Sequence, residues 1–156
     1  GQAPCVACGD LGPDVGHHFW DCPVAREVRL ELEVQLRARG MLGAGERLSC
    51  AAVWLGVKPH AELVQWVWDM VCVAAIYAME VGRSAAWSVS QRLEVPVLVG
   101  EVAGRAAKAA LWAALADFAA TARVPRAAQS VQLTRQPFVA MCVVLARGGV
   151  LRVVRH

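Results

Sequence analysis

Acidic residues are missing from the C-terminal part of this chain: none follows Asp117, whereas Arg123, Arg126, Arg135, Arg147, Arg152 and Arg155 do. Basic residues are missing in turn from residues 1–22, where Asp10, Asp14 and Asp21 stand without a Lys or Arg. Any contact with phosphates therefore falls to the C-terminal arginines and not to the head of the chain. Charge of either sign is scarce, at 19% of residues against about a quarter in ordinary domains. Apolar residues make up 57%, which excludes a disordered chain. A chain of 156 residues this apolar has difficulty covering its own hydrophobic area, and exposed patches are expected to seek a partner. Lysine is limited to Lys58 and Lys108, so nearly all of the 16 basic residues behind the net charge of +3 are arginines. The opening GQAPC has neither the basic nor the apolar run of a signal peptide, and no initiator Met. We read it as a fragment, a processed chain or an excised domain.

Catalytic constellations are also lacking. No Ser/His/Asp set and no phosphate-cradling glycine loop is visible, because the GAGE and GEVAG stretches lack the strand context and spacing of nucleotide loops. His60 and His156 have no evident partners in the sequence. We expect no enzyme activity from this chain and no small-molecule substrate.

The six cysteines are unevenly placed. Cys50, Cys72 and Cys142 lie in apolar runs and read as core thiols. Cys5, Cys8 and Cys22 cluster around a histidine in the pattern Cys5-x2-Cys8-x8-His17-x4-Cys22. Disulfides among these three would leave an odd thiol and ignore the histidine, and a redox CxxC would need a strand–helix context that is missing. Zinc wants four tetrahedral nitrogen and sulfur donors, and this set supplies them. Gly9 suits the unusual backbone angles of the turn after a CxxC step. His18 in place of His17 would give x9 and x3 spacings; His17 is the preferred ligand. With four protein donors no position is left for water, and no glutamate general base adjoins the histidine. One structural zinc ion is the expected cofactor, in a reducing, intracellular setting.

Behind this zinc knuckle, Pro23 opens a run in which Val24, Val28, Leu32 and Leu36 recur every fourth residue, with Glu27, Glu31 and Glu33 ahead of Arg37 and Arg39. That is a helix, ended by Gly40. Residues 48–55 are too short a run to assign. A second helix is expected from Ala61 to Ser90, its apolar stripe formed by Leu63, Trp66, Val67, Met70, Val71, Ala74, Tyr77, Ala78 and Val81. Gln65, Asp69, Glu80, Arg83 and Gln91 form its polar face, and Asp69 with Gln65 makes a membrane span costly. Pro96 precedes a third, alanine-rich helix over Val97–Arg123, anchored by Val102, Leu111, Leu115 and Phe118 and packed flat on the Trp-rich one. Trp54, Trp66, Trp68, Trp87 and Trp112 read as packing residues. The end reads as a short β-hairpin joined at Arg147-Gly148-Gly149. The expected fold is mainly α: a small N-terminal zinc knuckle (1–23), a bundle of three main helices (24–123), and a basic linker with a C-terminal β-hairpin (124–156), forming one compact unit.

The segment CVACGDLGPDVGHHFWDCPVAREV closely resembles the zinc-binding segment downstream of the reverse transcriptase domain in LINE-type (non-LTR) retrotransposon polyproteins. There a CxxC pair and a spacer precede His-x-Phe-x-x-Cys-Pro and a helix; Cys5, Cys8, His17, Phe19, Cys22 and Pro23 fall on that pattern, and VARE looks like the helix start. Asp14 stands in for the acidic residue of the family's spacer. The resemblance is specific over residues 5–28. Further on, Trp66, Trp68 and the stretch from Ala75 to Arg83 are similar in kind to the family's later helix. It implies a non-catalytic C-terminal tail of a retroelement reverse transcriptase polyprotein, or a domesticated or decayed copy, assisting RNA or DNA binding in the nucleus. No YxDD-like pair of aspartates is present, so polymerase chemistry would belong to other domains of such a polyprotein.

Two readings of the whole follow. In the first, Phe19 and Trp20 stack on bases, or else pack beneath the ion, while Arg123, Arg126, Arg135, Arg147, Arg152 and Arg155 meet phosphates. In the second, zinc staples a helical module whose Trp-rich surface docks on another protein domain, without nucleic acid.

Overall fold

The computed structural model describes residues 4–63, 65–93 and 99–121. Among the described residues the chain is mainly helical: α1 (Pro23–Ala38), α2 (Cys50–Trp54), α3 (Gln65–Leu93) and α4 (Val99–Thr121), preceded by a π-helical turn, His17–Asp21. The expected β-hairpin and the six C-terminal arginines lie outside the described residues.

Local chemistry accounts for the ends of α1. Pro23 costs nothing at a first helical position, where an N–H has no helical partner, and its ring presets φ. The carbonyl of Cys22 accepts the first helical bond, from Arg26 N–H at 2.9 Å. At the other end Gly40 takes φ +72°. Gly40 N–H bonds to the Arg37 carbonyl at 3.0 Å and Met41 N–H to that of Leu36 at 2.9 Å, the double closure of a Schellman motif. Met41 and Leu36 are both buried, as the motif's apolar contact requires.

Two compact units divide the chain, and each takes part of α1, α3 and α4. Of the described residues, the first comprises 4–31, 75–93 and 99–111. Its core holds Val24, Ala25 and Val28 with Ala78, Met79 and Leu111, all buried. Small residues allow close approach here. A Cβ on Gly82 of α3 would sit 2.5 Å from Val24 Cγ1 and 2.9 Å from Ala107 Cβ, so α1, α3 and α4 meet at a point where only hydrogen fits.

Of the described residues, the second unit comprises 32–63, 65–74 and 112–121. Glu33, one of the acids ahead of Arg37 and Arg39, is buried. Its Oε1 accepts Leu48 N–H at 2.9 Å, and Oε2 lies 3.8 Å from Arg37 Nη2. Arg37 in turn donates to the carbonyls of Gly43 and Glu46, so the pair fastens the loop after α1. Residues 50–54, unassigned from sequence, form α2, capped by Ser49 Oγ accepting from Ala52 N–H at 3.0 Å. The Ala52 carbonyl then receives Trp68 Nε1–H at 2.9 Å and the Cys72 thiol at 3.3 Å, both from the buried side of α3.

This anchoring rotates α3 away from the expected stripe. Leu63, Val67, Val71, Ala74 and Ala78 are buried as expected, but Trp68 and Cys72 join them, while Met70 and Tyr77 are exposed. Gln65 and Asp69 do lie on the exposed face, where Gln65 Nε2 donates to both the Gly56 carbonyl and Asp69 Oδ1 at 2.8 Å. In α4, Leu111 and Leu115 are buried, whereas Val102 is exposed and Ala103 and Ala107 take the core positions. Cys50 is exposed, contrary to its reading as a core thiol; Cys72 is buried, and Cys142 lies outside the described residues. Of the tryptophans with described side chains only Trp68 is fully buried; Trp87 is 54% exposed. His60 has a local partner, its Nδ1 accepting from Glu62 N–H at 3.1 Å. No helix among the described residues is long and apolar enough to cross a membrane.

Candidate metal centre

The site is assembled by a tight turn and a π-helical turn, both in the first unit. Gly9 N–H donates to the Cys5 carbonyl at 2.8 Å, and Cys5 N–H to the Asp10 carbonyl at 2.9 Å. The turn closes with Gly9 at φ +80°, a conformation nearly free to glycine. It brings Cys5 and Cys8 to one side. The spacer then returns through Asp10, whose Oδ1 accepts from Gly12 N–H at 2.9 Å. Asp14 Oδ1 accepts His17 N–H at 2.7 Å and starts the second turn.

That second turn decides whether the x4 spacing works. On an ordinary α-helix, positions five apart point about 140° away from each other, at roughly 100° per residue. His17 and Cys22 would then diverge. In the π turn Cys22 N–H instead bonds to the His17 carbonyl at 2.7 Å, an i→i+5 closure that brings the two residues onto the same side. Pro23 follows at once and begins α1.

The four donor atoms of Cys5, Cys8, His17 and Cys22 lie within 4.8 Å of one another. Cys5 Sγ and Cys22 Sγ are 3.9 Å apart, and Cys8 Sγ is 3.4 Å from His17 Nε2. A tetrahedral zinc ion with ordinary bond lengths sets sulfur pairs about 3.8 Å apart and sulfur–nitrogen pairs about 3.5 Å apart. The Cys5–Cys22 and Cys8–His17 separations match these, and the four residues could hold a metal such as zinc. Cys5, His17 and Cys22 are buried, and Cys8 is exposed.

The ring that joins the sulfurs is that of His17, not His18. His18 stacks edge-on against it at 5.6 Å between centroids. It lines a small cavity of about 20 Å³ with Cys22, Met79 and Arg83. Burial, then the positive charge of Arg83, holds its pKa below the ordinary histidine value.

Three thiols in one place do not ionise freely. Burial pushes Cys22 up to about 12, with the neighbouring Cys5 and Cys8 adding to the shift. Burial likewise raises Cys8. For Cys5 the cost of burial is outweighed by hydrogen bonds from the Ala7 backbone and His17, which leave it below its ordinary value. A divalent cation reverses this balance, because it stabilises every thiolate at once.

No family model, curated protein or solved structure matches this chain.

Of the remaining residues singled out from the sequence, Phe19 and Trp20 are half-buried beside the ligands. The Arg29 guanidinium lies over the Trp20 ring, 4.4 Å from its centroid, a cation–π contact. One residue of the site was not foreseen. Asp10 Oδ2 lies 3.3 Å from Nδ1 of His17, on the side of the ring away from Cys8. Its only sequence signal is an acid two positions after Cys8, at the start of a Gly- and Pro-containing return.

Proposed function

We propose that residues 4–22 form a structural zinc knuckle and that the chain serves as a non-catalytic, nucleic-acid-associated tail of a retroelement reverse transcriptase, or a domesticated remnant, working in the nucleus. The observation that carries the zinc reading is the convergence of four donors from two separate turns at separations suited to a tetrahedral ion. Four protein ligands leave no open coordination position, so the ion holds the knuckle together and activates no water. The wider assignment is supported by the resemblance of residues 5–28 to the LINE-type segment and by the acid-free, arginine-bearing C-terminal part.

Electrostatics assigns the parts. Three thiolates on a zinc ion carry one net negative charge, and Asp10, Asp14 and Asp21 add theirs with no Lys or Arg in residues 1–22. The loaded knuckle repels phosphate. Backbone contacts therefore belong to Arg123, Arg126, Arg135, Arg147, Arg152 and Arg155, and Phe19 or Trp20 would contribute only by stacking. The alternative of a zinc-stapled protein-interaction module draws on the exposure of Tyr77 (56%) and Trp87 (54%) on α3.

Zinc content by elemental analysis, together with RNA and DNA binding as a function of salt, tests both parts. The expected results are one zinc per chain and an affinity falling with salt, with a log–log slope that shrinks by about 0.7–0.9 for each contacting arginine replaced. Zinc-free, fully folded protein removes the knuckle. Zinc-loaded protein that binds neither nucleic acid, or binds without salt dependence, leaves the interaction module standing.

A further inference from the structure

Asp10 has the exposure of a solvated loop acid, about half for its side chain, yet its carboxylate is held by one hydrogen bond and faces the His17 ring. Oδ1 accepts from Gly12 N–H at 2.9 Å, and Oδ2 lies 3.3 Å from His17 Nδ1. The opposite ring nitrogen, Nε2, is 3.4 Å from Cys8 Sγ. A neutral imidazole carries one ring proton, and only the bare nitrogen can ligate a metal. A carboxylate is purely an acceptor, so its presence at Nδ1 favours the proton there and leaves the Nε2 lone pair toward the sulfurs. The placement of Asp10 is built into the ligand turn itself: its carbonyl accepts Cys5 N–H at 2.9 Å. The turn that gathers Cys5 and Cys8 thus also delivers the carboxylate to the ring. Asp14 has a different task, since it bonds the backbone N–H of His17 and not the imidazole.

The geometry points to Asp10 as the positioning residue of this centre: its carboxylate selects the Nδ1–H tautomer of His17 and aims Nε2 at the place shared by Cys5, Cys8 and Cys22. This role rests on the zinc reading above and deepens it by naming what sets the state of the histidine. Carboxylate partners of ligating histidines are typically worth 10–100-fold in metal affinity.

The test compares the full chain with Asp10→Ala, Asp10→Ser and Asp10→Asn. A serine hydroxyl can still bond Gly12 N–H in a local turn but is too short to reach the ring, whereas an asparagine oxygen can accept from Nδ1–H. Zinc affinity is measured by competition with a chromophoric chelator, and the protonated ring nitrogen of His17 by ¹⁵N NMR on zinc-loaded protein, or on the protein as isolated where it takes up none. Zinc binding is expected to weaken about 10–100-fold in both the Ala and Ser variants, with the Asn variant between them and the parent. The parent ring should carry its proton on Nδ1, and the Ala and Ser variants should show a mixture. Ser binding zinc as tightly as the parent would mean that Asp10 only shapes the loop, and overturns the role. A parent ring protonated at Nε2 overturns it too. A parent that takes up no zinc brings down the underlying zinc reading, and the NMR tautomer then decides the role of Asp10 by itself.

Discussion

If Cys5, Cys8, His17 and Cys22 hold zinc as proposed, removing the metal should unfold the knuckle and spare the helices. Residues 4–22 have almost no apolar core of their own: apart from three ligands only Pro13 is buried, while Leu11 and Val15 are 81% and 67% exposed. Ordering a backbone costs about 1–2 kcal/mol per residue. A net gain of about 1 kcal/mol for each of the few hydrogen bonds of the two turns does not offset that over the whole segment. Structural zinc contributes roughly 10–16 kcal/mol in small zinc-binding peptides, and that is the scale needed here. The helical units stand on different ground, with Val28, Leu32, Leu36, Trp68, Met79 and Leu111 essentially inaccessible to water. Chelating the zinc, or replacing Cys22 by Ser, should therefore release the amides of Cys5, Gly9, His17 and Cys22, which bond within the turns, to fast hydrogen exchange. Amides in the middle of α3 should remain protected, and far-UV CD should fall only by the share of a short π turn and a frayed start of α1. Hydrogen exchange by mass spectrometry on loaded and chelated protein reads both outcomes. Slow exchange of the knuckle amides without metal would refute the reasoning, because the segment would then have a source of stability that its burial does not provide.

Three further outcomes follow from the same contacts. Zinc affinity should rise with pH: burial holds Cys8 above its ordinary value and Cys22 at about 12, so both thiols keep their protons at neutral pH and must release them to the ion. The protons of Cys8 and Cys22 alone correspond to a change in affinity of at least about 100-fold per pH unit, measured by chelator competition between pH 6 and 8. Glu33→Ala should cost about 1–3 kcal/mol in denaturant unfolding, because Leu48 N–H loses its buried acceptor, while Glu33→Gln keeps an oxygen there and should cost less. Gly82→Ala should destabilise by about 1–3 kcal/mol, since the new methyl meets Val24 and Ala107 at less than contact distance; Val24→Ala in the same chain should recover part of that loss.

The local chemistry of this protein was legible in its residues. The ligand spacing, the opening of α1 at Pro23 and its closure at Gly40 each depend on neighbours within a few positions, so the residue types alone were enough. The mainly helical character followed from apolar periodicity, for the same reason. What periodicity could not provide was rotation: whether Trp68 or Tyr77 faces the core depends on the Ala52 carbonyl, which lies 16 residues before Trp68. The order of acids before arginines along α1 does not single out Glu33; its burial depends on the Leu48 amide arriving beside it from across a loop. The spacing already favoured His17 over His18, but the π turn that brings its ring to the cysteines, by an i→i+5 closure, has no residue signature of its own. Asp10 became part of the centre because a folded return carries it back to the imidazole. In each case a donor and an acceptor distant in sequence had to be satisfied together, and only tertiary structure brings such groups within reach.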